Sequence, residues 1–241
     1  MSRNQIFKFL DSKDIDRVLK GGTIRVSTFS HYRSLEKPGI GDRTEASTVV
    51  NVDQAVLKGT AEPSRPEGFL GVASASDPES TLILKNVQAQ YNHPDRFIFC
   101  VSEGDRATLI EAMCFTATEP YDACLRLLIS LELLAHRIFG RGKVKEFNDA
   151  PVKTLFHAVD FGRVAYDAIE HNHADGQAPF PSPFKKSPLP EFVSQSEARI
   201  VLSPNYDLGL QQLTIRLPRI EKIFIEEFRS LSEAKEILGD K

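Results

Sequence analysis

Short apolar stretches separated by turn residues recur along the chain, a pattern typical of β-strands. NQIFKFL stands near the start, RFIFCVS near the middle, and EARIVLS, LQQLTIRLP and IEKIFIEEF follow in the C-terminal third. The sequence therefore predicts an early strand and a strand-rich C-terminal half.

Two segments have the features of helices instead, and one of them is SLSEAKEIL, where Ser230 and Glu233 form a capping box at the helix start. Apolar side chains recur every three or four positions in residues 121–139, including Leu127, Leu131, Leu134 and Ile138, and this predicts one long central helix. Regular alternation of strands and helices is missing. We therefore expect an α+β fold, a single domain over residues 1–241 with a mixed, mostly antiparallel sheet.

A proline-rich stretch interrupts the pattern at residues 172–190. It contains five prolines and little periodicity, so a long loop is predicted there. Loops of this length usually carry function.

Composition narrows the setting. The 241 residues carry a net charge of −3, so no overall positive field attracts nucleic acid or an acidic membrane. Cys100, Cys114 and Cys124 lie in apolar contexts without CxxC spacing, which predicts buried, reduced thiols in a cytoplasmic protein. The start lacks the apolar segment of a secretory signal, and the longest apolar stretch contains charges, so no membrane span is expected.

Familiar catalytic motifs are absent from the sequence. It contains no P-loop, GxGxxG, GxSxG or HExxH pattern. His171 and His173 have no third ligand at a suitable spacing, so no metal is predicted.

Polar residues do interrupt the predicted strands. Lys8 lies within the apolar strand IFKFL, where it suits either a sheet edge or a site. In STFSHYRS, Ser27, Tyr32 and Arg33 bring hydroxyls and a guanidinium to a strand end, a set that suits phosphate or ribose. Asp42, Arg43 and Glu45 in GDRTE are expected to lie in a solvated loop.

The segment QSEAR combines charge with a core strand. Side chains alternate along a strand, so Gln195, Glu197 and Arg199 share one face. The opposite face carries Ala198, Ile200 and Leu202. The polar face is either a solvent-exposed ion pair of little energetic value or part of a site.

The order of IFKFL, GGTIRVSTFSHYRS, GDRTEA, RFIFCVS and QSEARIV resembles a widespread bacterial family of unknown function. Its genes often lie beside phage-defence genes. The family's usual NDP appears here as GDR, and the first acid of its Glu-x-Glu is Gln195.

QSEARIVL also resembles the Gln/Glu-x-Glu segment of ADP-ribosyltransferases. This resemblance implies that NAD is the substrate, that Glu197 stabilises the oxocarbenium-like state, and that Gln195 orients the acceptor. The residues that it assigns to the cofactor are Lys8, Ser27, Tyr32, Arg33 and Arg199.

Three classes of function follow from these observations. The first is an ADP-ribosyltransferase-like toxin or defence effector, with the acceptor open and nucleic acid among the candidates. The second is a non-catalytic sensor for a nucleotide or phosphorylated ligand, with a basic pocket of Arg33, Arg43, Arg199 and Lys185 or Lys186. The third is a module that binds a protein partner through the central helix and the proline-rich loop.

Overall fold

The computed structural model describes residues 5–35, 43, 45–58, 81–168, 170–172 and 181–239. The strands of this part of the chain are β1 (Gln5–Leu10), β2 (Thr23–Thr28), β3 (Ser47–Lys58), β4 (Thr81–Asn92), β5 (Phe97–Gly104), β6 (Ala123–Leu127), β7 (Lys143–Val144), β8 (Ala150–Pro151), β9 (Phe156–Arg163), β10 (Ala165–Tyr166), β11 (Glu170–Asn172), β12 (Lys185–Lys186), β13 (Glu197–Pro204), β14 (Gln212–Arg216) and β15 (Phe224–Phe228).

The helices are mostly short. The α-helices are α1 (Ile15–Leu19), α2 (Phe29–Ser34), α3 (Arg106–Ile110), α4 (Leu131–Arg141), α5 (Val152–Leu155), α6 (Pro190–Val193) and α7 (Leu231–Gly239). The 3₁₀ turns are Ser12–Asp14, Lys145–Phe147 and Ile220–Lys222, and Glu111–Thr116 is a π-helix that continues α3.

The main sheet confirms the predicted α+β fold. Its strands follow the order β15-β6-β1-β5-β2-β14-β7-β8, all neighbours are antiparallel, and β13 joins β5 to β9. Two smaller sheets contain the parallel pairs β10–β12 and β11–β3. The sheet structure is therefore mixed and mostly antiparallel.

The sheet splits along one edge of β5. Strand β1 pairs with Ser102 to Gly104 at one end, and β2 pairs with Phe97 and Ile98 at the other. Residues 99–101 have no strand partner on this edge in the described part of the chain. Strand β13 pairs with the opposite edge of β5. This gap positions the site described below.

Apolar clusters cover both faces of the sheet. One face packs against α1, α4 and α5 through residues such as Leu125, Leu134 and Ile200. The other face, which includes Phe7 and Phe9, packs against α3, the π-helix and α7. Cys114 and Cys124 are buried free thiols in this second cluster.

The prediction of one long central helix over residues 121–139 is wrong for the first half of that range. Residues Ala123–Leu127 form β6, and the helix begins only at Leu131, where the Ser130 hydroxyl accepts a hydrogen bond from the Leu133 amide. Strand β6 lies between two apolar clusters, so both of its faces are buried. A strand buried on both faces is apolar throughout and matches a helical pattern as well as an extended one.

The predicted loop at residues 172–190 is interrupted by structure. Lys185–Lys186 form β12, and α6 begins at Pro190. Residues 173–180 lie outside the described part, so the protein-partner role of this stretch stays a prediction. Among the described helices, none has the length and apolarity needed to cross a membrane.

Candidate functional site

Strands β5 and β13 bring polar side chains together on one face. Glu197 lies opposite Ser102, and Arg199 lies opposite Cys100. The alternate residues of β13, from Ala198 to Leu202, belong to the main apolar cluster, as predicted. Glu197 and Arg199 are shielded from water, at 6% and 0% exposed, whereas Gln195 lies in the turn before β13 and is half-buried. The alternative of a solvent-exposed ion pair is therefore wrong.

Arg199 binds two carboxylates. Its Nε donates to Glu197 Oε1 at 2.5 Å, and its Nη1 lies 2.7 Å from Glu45 Oε1. The same Nη1 donates to the Pro183 carbonyl at 2.8 Å. Glu45 is 1% exposed, so its expected place in a solvated loop is wrong. Arg199 thus fixes the Glu45 segment against β13.

Lys186 completes the arrangement from β12. Its Nζ donates to Glu197 Oε2 at 3.0 Å and to Gln195 Oε1 at 3.2 Å, and it lies 3.9 Å from Glu45 Oε2. The Phe192 ring covers it, with Nζ 4.5 Å from the ring centroid. We call Glu45, Lys186, Glu197 and Arg199 the ion cluster.

Burial and pairing act in opposite directions on these groups. Burial alone would raise the pKa of Glu197, but Arg199 and Lys186 hold it well below its ordinary value. Burial would lower the pKa of Lys186, but Glu197 and Glu45 raise it. Glu197, Lys186 and Arg199 are therefore charged at neutral pH, and Glu45 forms an ion pair with Arg199.

Lys8 lies in the gap where the sheet splits. Its ammonium donates to the Cys100 carbonyl at 2.9 Å, in the part of β5 that lacks a strand partner, and lies 5.1 Å from the Phe99 ring centroid. Burial lowers its pKa. No carboxylate of the described residues forms an ion pair with it, which sets it apart from Lys186.

Three half-buried tyrosines lie around Glu197. The Tyr166 hydroxyl accepts a hydrogen bond from the Glu197 amide at 2.8 Å, while Tyr32 and Tyr121 line the space beside it. Burial raises the pKa of Tyr121 to about 12 and that of Tyr32 well above its ordinary value. These phenols stay protonated and can donate hydrogen bonds.

The enclosed space is a narrow cleft with a volume of about 80 Å³. Lys8, Tyr32, Glu45, Lys186, Gln195 and Glu197 supply most of its polar lining. Cys100 also lines it, but burial raises the pKa of this thiol far above neutral, so it is not a nucleophile there.

Backbone strain lies beside both carboxylates. Ala46, next to Glu45, has φ = 50°, and Ser196, just before Glu197, has φ = 43°. Non-glycine residues seldom adopt this left-handed conformation, and such strain concentrates at functional sites. The fold accepts it at the two positions that orient the cluster's carboxylates.

The sequence-predicted residues divide into two groups. Lys8, Tyr32, Gln195 and Glu197 line the narrow cleft. Three others do not line it: Arg199 belongs to the ion cluster, Ser27 accepts a hydrogen bond from Gln212 Nε2 at 3.2 Å, and Arg33 Nη1 donates to the Glu45 carbonyl at 2.8 Å.

The remaining candidates lie elsewhere. Arg43 is exposed, and Lys185 pairs with Asp167 at 3.5 Å instead of entering the cleft. Asp42 is outside the described residues. Of the residues proposed for the sensor's basic pocket, Lys186 lines the cleft, and Arg199 lies behind it.

Sequence reasoning missed Glu45, Tyr121 and Tyr166 as parts of the site. Each lies in a different segment, far along the chain from Glu197, and nothing local marks it. The one available signal was the buried position of Arg199 in an apolar strand, because a buried guanidinium requires carboxylates from elsewhere.

No family model matches the chain, and neither the curated proteins nor the solved structures include a match. The described residues also contain no group of three or more side chains arranged to hold a metal ion. Function therefore has to be argued from the narrow cleft itself.

Proposed function

We propose that the protein is a non-catalytic binding module for a small anionic, nucleotide-like ligand, which enters the narrow cleft. The observation that carries the proposal is a charge imbalance. Lys8, Lys186 and Arg199 supply three positive charges, whereas Glu45 and Glu197 supply two negative ones. These groups, of which Lys8 is half-buried and the others buried, therefore carry one positive charge in excess when Lys8 is protonated.

An unpaired buried charge is unfavourable, and proteins avoid it by pairing or by deprotonation. The lowered pKa of Lys8 favours its deprotonation. An anion bound beside Lys8 would instead pair with its charge and could accept hydrogen bonds from Tyr32 or Tyr121. Phosphate suits this combination, because it accepts several hydrogen bonds and carries negative charge.

Calorimetric titration with inorganic phosphate and with nucleotides tests the proposal. We expect binding to the wild type and at least tenfold weaker binding to Lys8→Met, because the excess positive charge is removed. Lys153→Met is the matched control, since Lys153 is an exposed residue of α5 and does not line the cleft. Equal affinity of the wild type and Lys8→Met would contradict the proposal.

A second signature comes from proton uptake. Bound phosphate raises the pKa of Lys8, so binding at alkaline pH should take up a proton. Titrations in buffers of different ionisation enthalpy measure this uptake. Lys8→Met should lack it.

ADP-ribosyl transfer from NAD is the second candidate. It is favoured by the position of Gln195 and Glu197, which both line the cleft and both accept from Lys186. In this reaction the ribose–nicotinamide bond breaks and nicotinamide leaves with the bonding pair. The acceptor's nucleophile then bonds to the ribose carbon and releases a proton. Glu197 would stabilise the positive charge that develops.

This candidate ranks second because both oxygens of Glu197 already pair with cations, which weakens their effect on a developing positive charge. Nicotinamide release from NAD tests it. Glu197→Gln should reduce nicotinamide release by a factor of about 10² to 10³. The control Glu103→Gln should not, because Glu103 pairs with Arg163 and does not line the cleft. Unchanged release in Glu197→Gln would exclude the catalytic role, and nucleotide binding without any release supports the first candidate.

A further inference from the structure

A second cavity adjoins the narrow cleft. We call it the wide pocket, and its volume is about 440 Å³. Met113, Tyr121 and Gln195 line both spaces, so the two are neighbours that share a wall. A ligand anchored near Lys8 would therefore lie beside Tyr121, next to the wide pocket.

The wide pocket differs from the narrow cleft in chemistry. Small and apolar residues form much of its wall, including Ala112, Ala117 and Pro190, and the Tyr121 ring stands at the junction. Hydroxyls of Thr116, Thr118 and Ser194 add hydrogen-bonding groups. Such a surface suits a ring system with polar edges, since aromatic side chains stack on the faces of nucleobases.

The π-helix shapes this wall. Ala112, Met113 and Thr116 all belong to it, and the Tyr121 amide donates to the Met113 carbonyl at 3.0 Å. Single π-helical turns are rare and occur often at functional sites. Here the π-helix carries Met113, which together with Tyr121 lies in the wall that the two spaces share.

Size and charge both limit the number of phosphates. A water molecule needs about 10–15 Å³ of cavity, so the 80 Å³ cleft holds roughly five to eight water-sized groups, enough for the five heavy atoms of one phosphate but not for the nine of a diphosphate. The charged residues that line the wide pocket are Glu119 and Glu191, both acidic, and the described residues bring no lysine or arginine to it. A second or third phosphate would lack space in the narrow cleft. In the wide pocket it would lie near the negative charges of Glu119 and Glu191.

We infer that the ligand is a nucleoside monophosphate, with its single phosphate in the narrow cleft and its nucleoside in the wide pocket. This inference rests on the proposed anion binding at Lys8. It adds the orientation of the ligand and a preference for one phosphate over two or three.

A ligand series on the wild-type protein tests the inference without any substitution. Calorimetry would compare inorganic phosphate, a nucleoside, its mono-, di- and triphosphate, and NAD. We expect the monophosphate to bind at least tenfold more tightly than phosphate or the nucleoside alone, and at least tenfold more tightly than the triphosphate.

A variant that fills the wide pocket provides a second test of the inference. Ala117→Phe places a ring in the wide pocket and should reduce monophosphate affinity to that of inorganic phosphate, while phosphate binding stays unchanged. Lys153→Phe adds the same ring on the exposed surface of α5 and should change neither affinity. Circular dichroism checks that both variants fold.

The outcomes separate the two proposals. If phosphate and monophosphate bind equally, or if the triphosphate or NAD binds more tightly than the monophosphate, the inference is wrong while anion binding at Lys8 stands. If no phosphate compound binds, both proposals fail. Retained monophosphate affinity in Ala117→Phe would also overturn the placement of the nucleoside.

Discussion

The ion cluster and the network around Arg229 use the same chemistry at opposite degrees of burial. Arg229 reaches Asp16 at 3.0 Å and Glu226 at 2.7 Å, much as Arg199 reaches Glu197 and Glu45. The Arg229 side chain is 41% exposed, whereas that of Arg199 is 0% exposed. Water screens the first network, whereas the second exchanges most of its hydration for protein groups and leaves Arg199 Nη2 buried without a hydrogen-bond partner among the described residues.

The contrast shows where charge has a purpose beyond stability. An exposed ion pair contributes little to folding, and a buried one is seldom better than an apolar substitute of equal volume. A buried cluster with strained backbone beside both carboxylates is therefore poorly explained by stability. The proposed binding of an anionic ligand in the adjoining cleft would give the ion cluster such a role.

The largest expected effect comes from Arg199→Met. This change leaves Glu45 and Glu197 buried with Lys186 as their remaining partner in the ion cluster, so the free energy of unfolding should fall by about 3–5 kcal/mol. Urea denaturation measures it. The triple variant Glu45→Gln, Glu197→Gln, Arg199→Met should be more stable than Arg199→Met alone, and the reverse order would contradict the interpretation.

The second-largest effect is expected at acid pH, where the ion cluster should contribute less to the free energy of unfolding. The pKa of Glu197 is 4.5 in its ordinary state and lower in the fold, so below pH 4.5 the unfolded chain binds a proton that the native state refuses. Its stabilising contribution is present above pH 4.5 and is lost as the pH falls through the lower native value. Denaturation curves at pH 7, 5, 4 and 3 should show a steeper decline for the wild type than for Glu197→Gln. Parallel curves would refute the assignment.

Lys8→Met should change stability by no more than about 1 kcal/mol. It removes one hydrogen bond to Cys100, with a contribution of about 0.5–1.5 kcal/mol, and also relieves an unpaired buried ammonium. The same denaturation assay compares it with Arg199→Met. A loss as large as that of Arg199→Met would show that Lys8 is an essential part of the core instead of a group reserved for a ligand.

The smallest effect belongs to the exposed network. Arg229→Gln should leave the urea midpoint within experimental scatter of the wild type, because solvent replaces the lost contacts. High salt should have equally little effect on the variant. A marked loss of stability would remove the distinction between the two regions.

Local patterns predicted much of the fold. The two faces of β13 follow from the alternation of side chains along a strand, and the helix start at Ser230 follows from its capping residues. The Glu233 amide donates to the Ser230 hydroxyl at 3.3 Å, as such a cap requires. Helix and strand became confused only at β6, where burial on both faces hides the period.

The candidate site was predicted only in part. Lys8 and Glu197 stand out because charge is unusual in an apolar strand, so composition alone marks them. Glu45 and Lys186 lie in polar surroundings that favour a solvated interpretation. Their burial depends on contacts with a strand formed by residues far along the chain, which no local pattern encodes.

The scattered origin of the cleft has a consequence for the chain during its synthesis. Lys8, Glu45, Cys100, Lys186 and Glu197 come from segments that emerge from the ribosome at widely separated times. Domains form as their residues emerge, and contacts distant in sequence form late. The nascent protein can pair β1 and β2 with β5 before Lys186 and Glu197 have been synthesised, so binding of the proposed ligand would report that translation has passed β13.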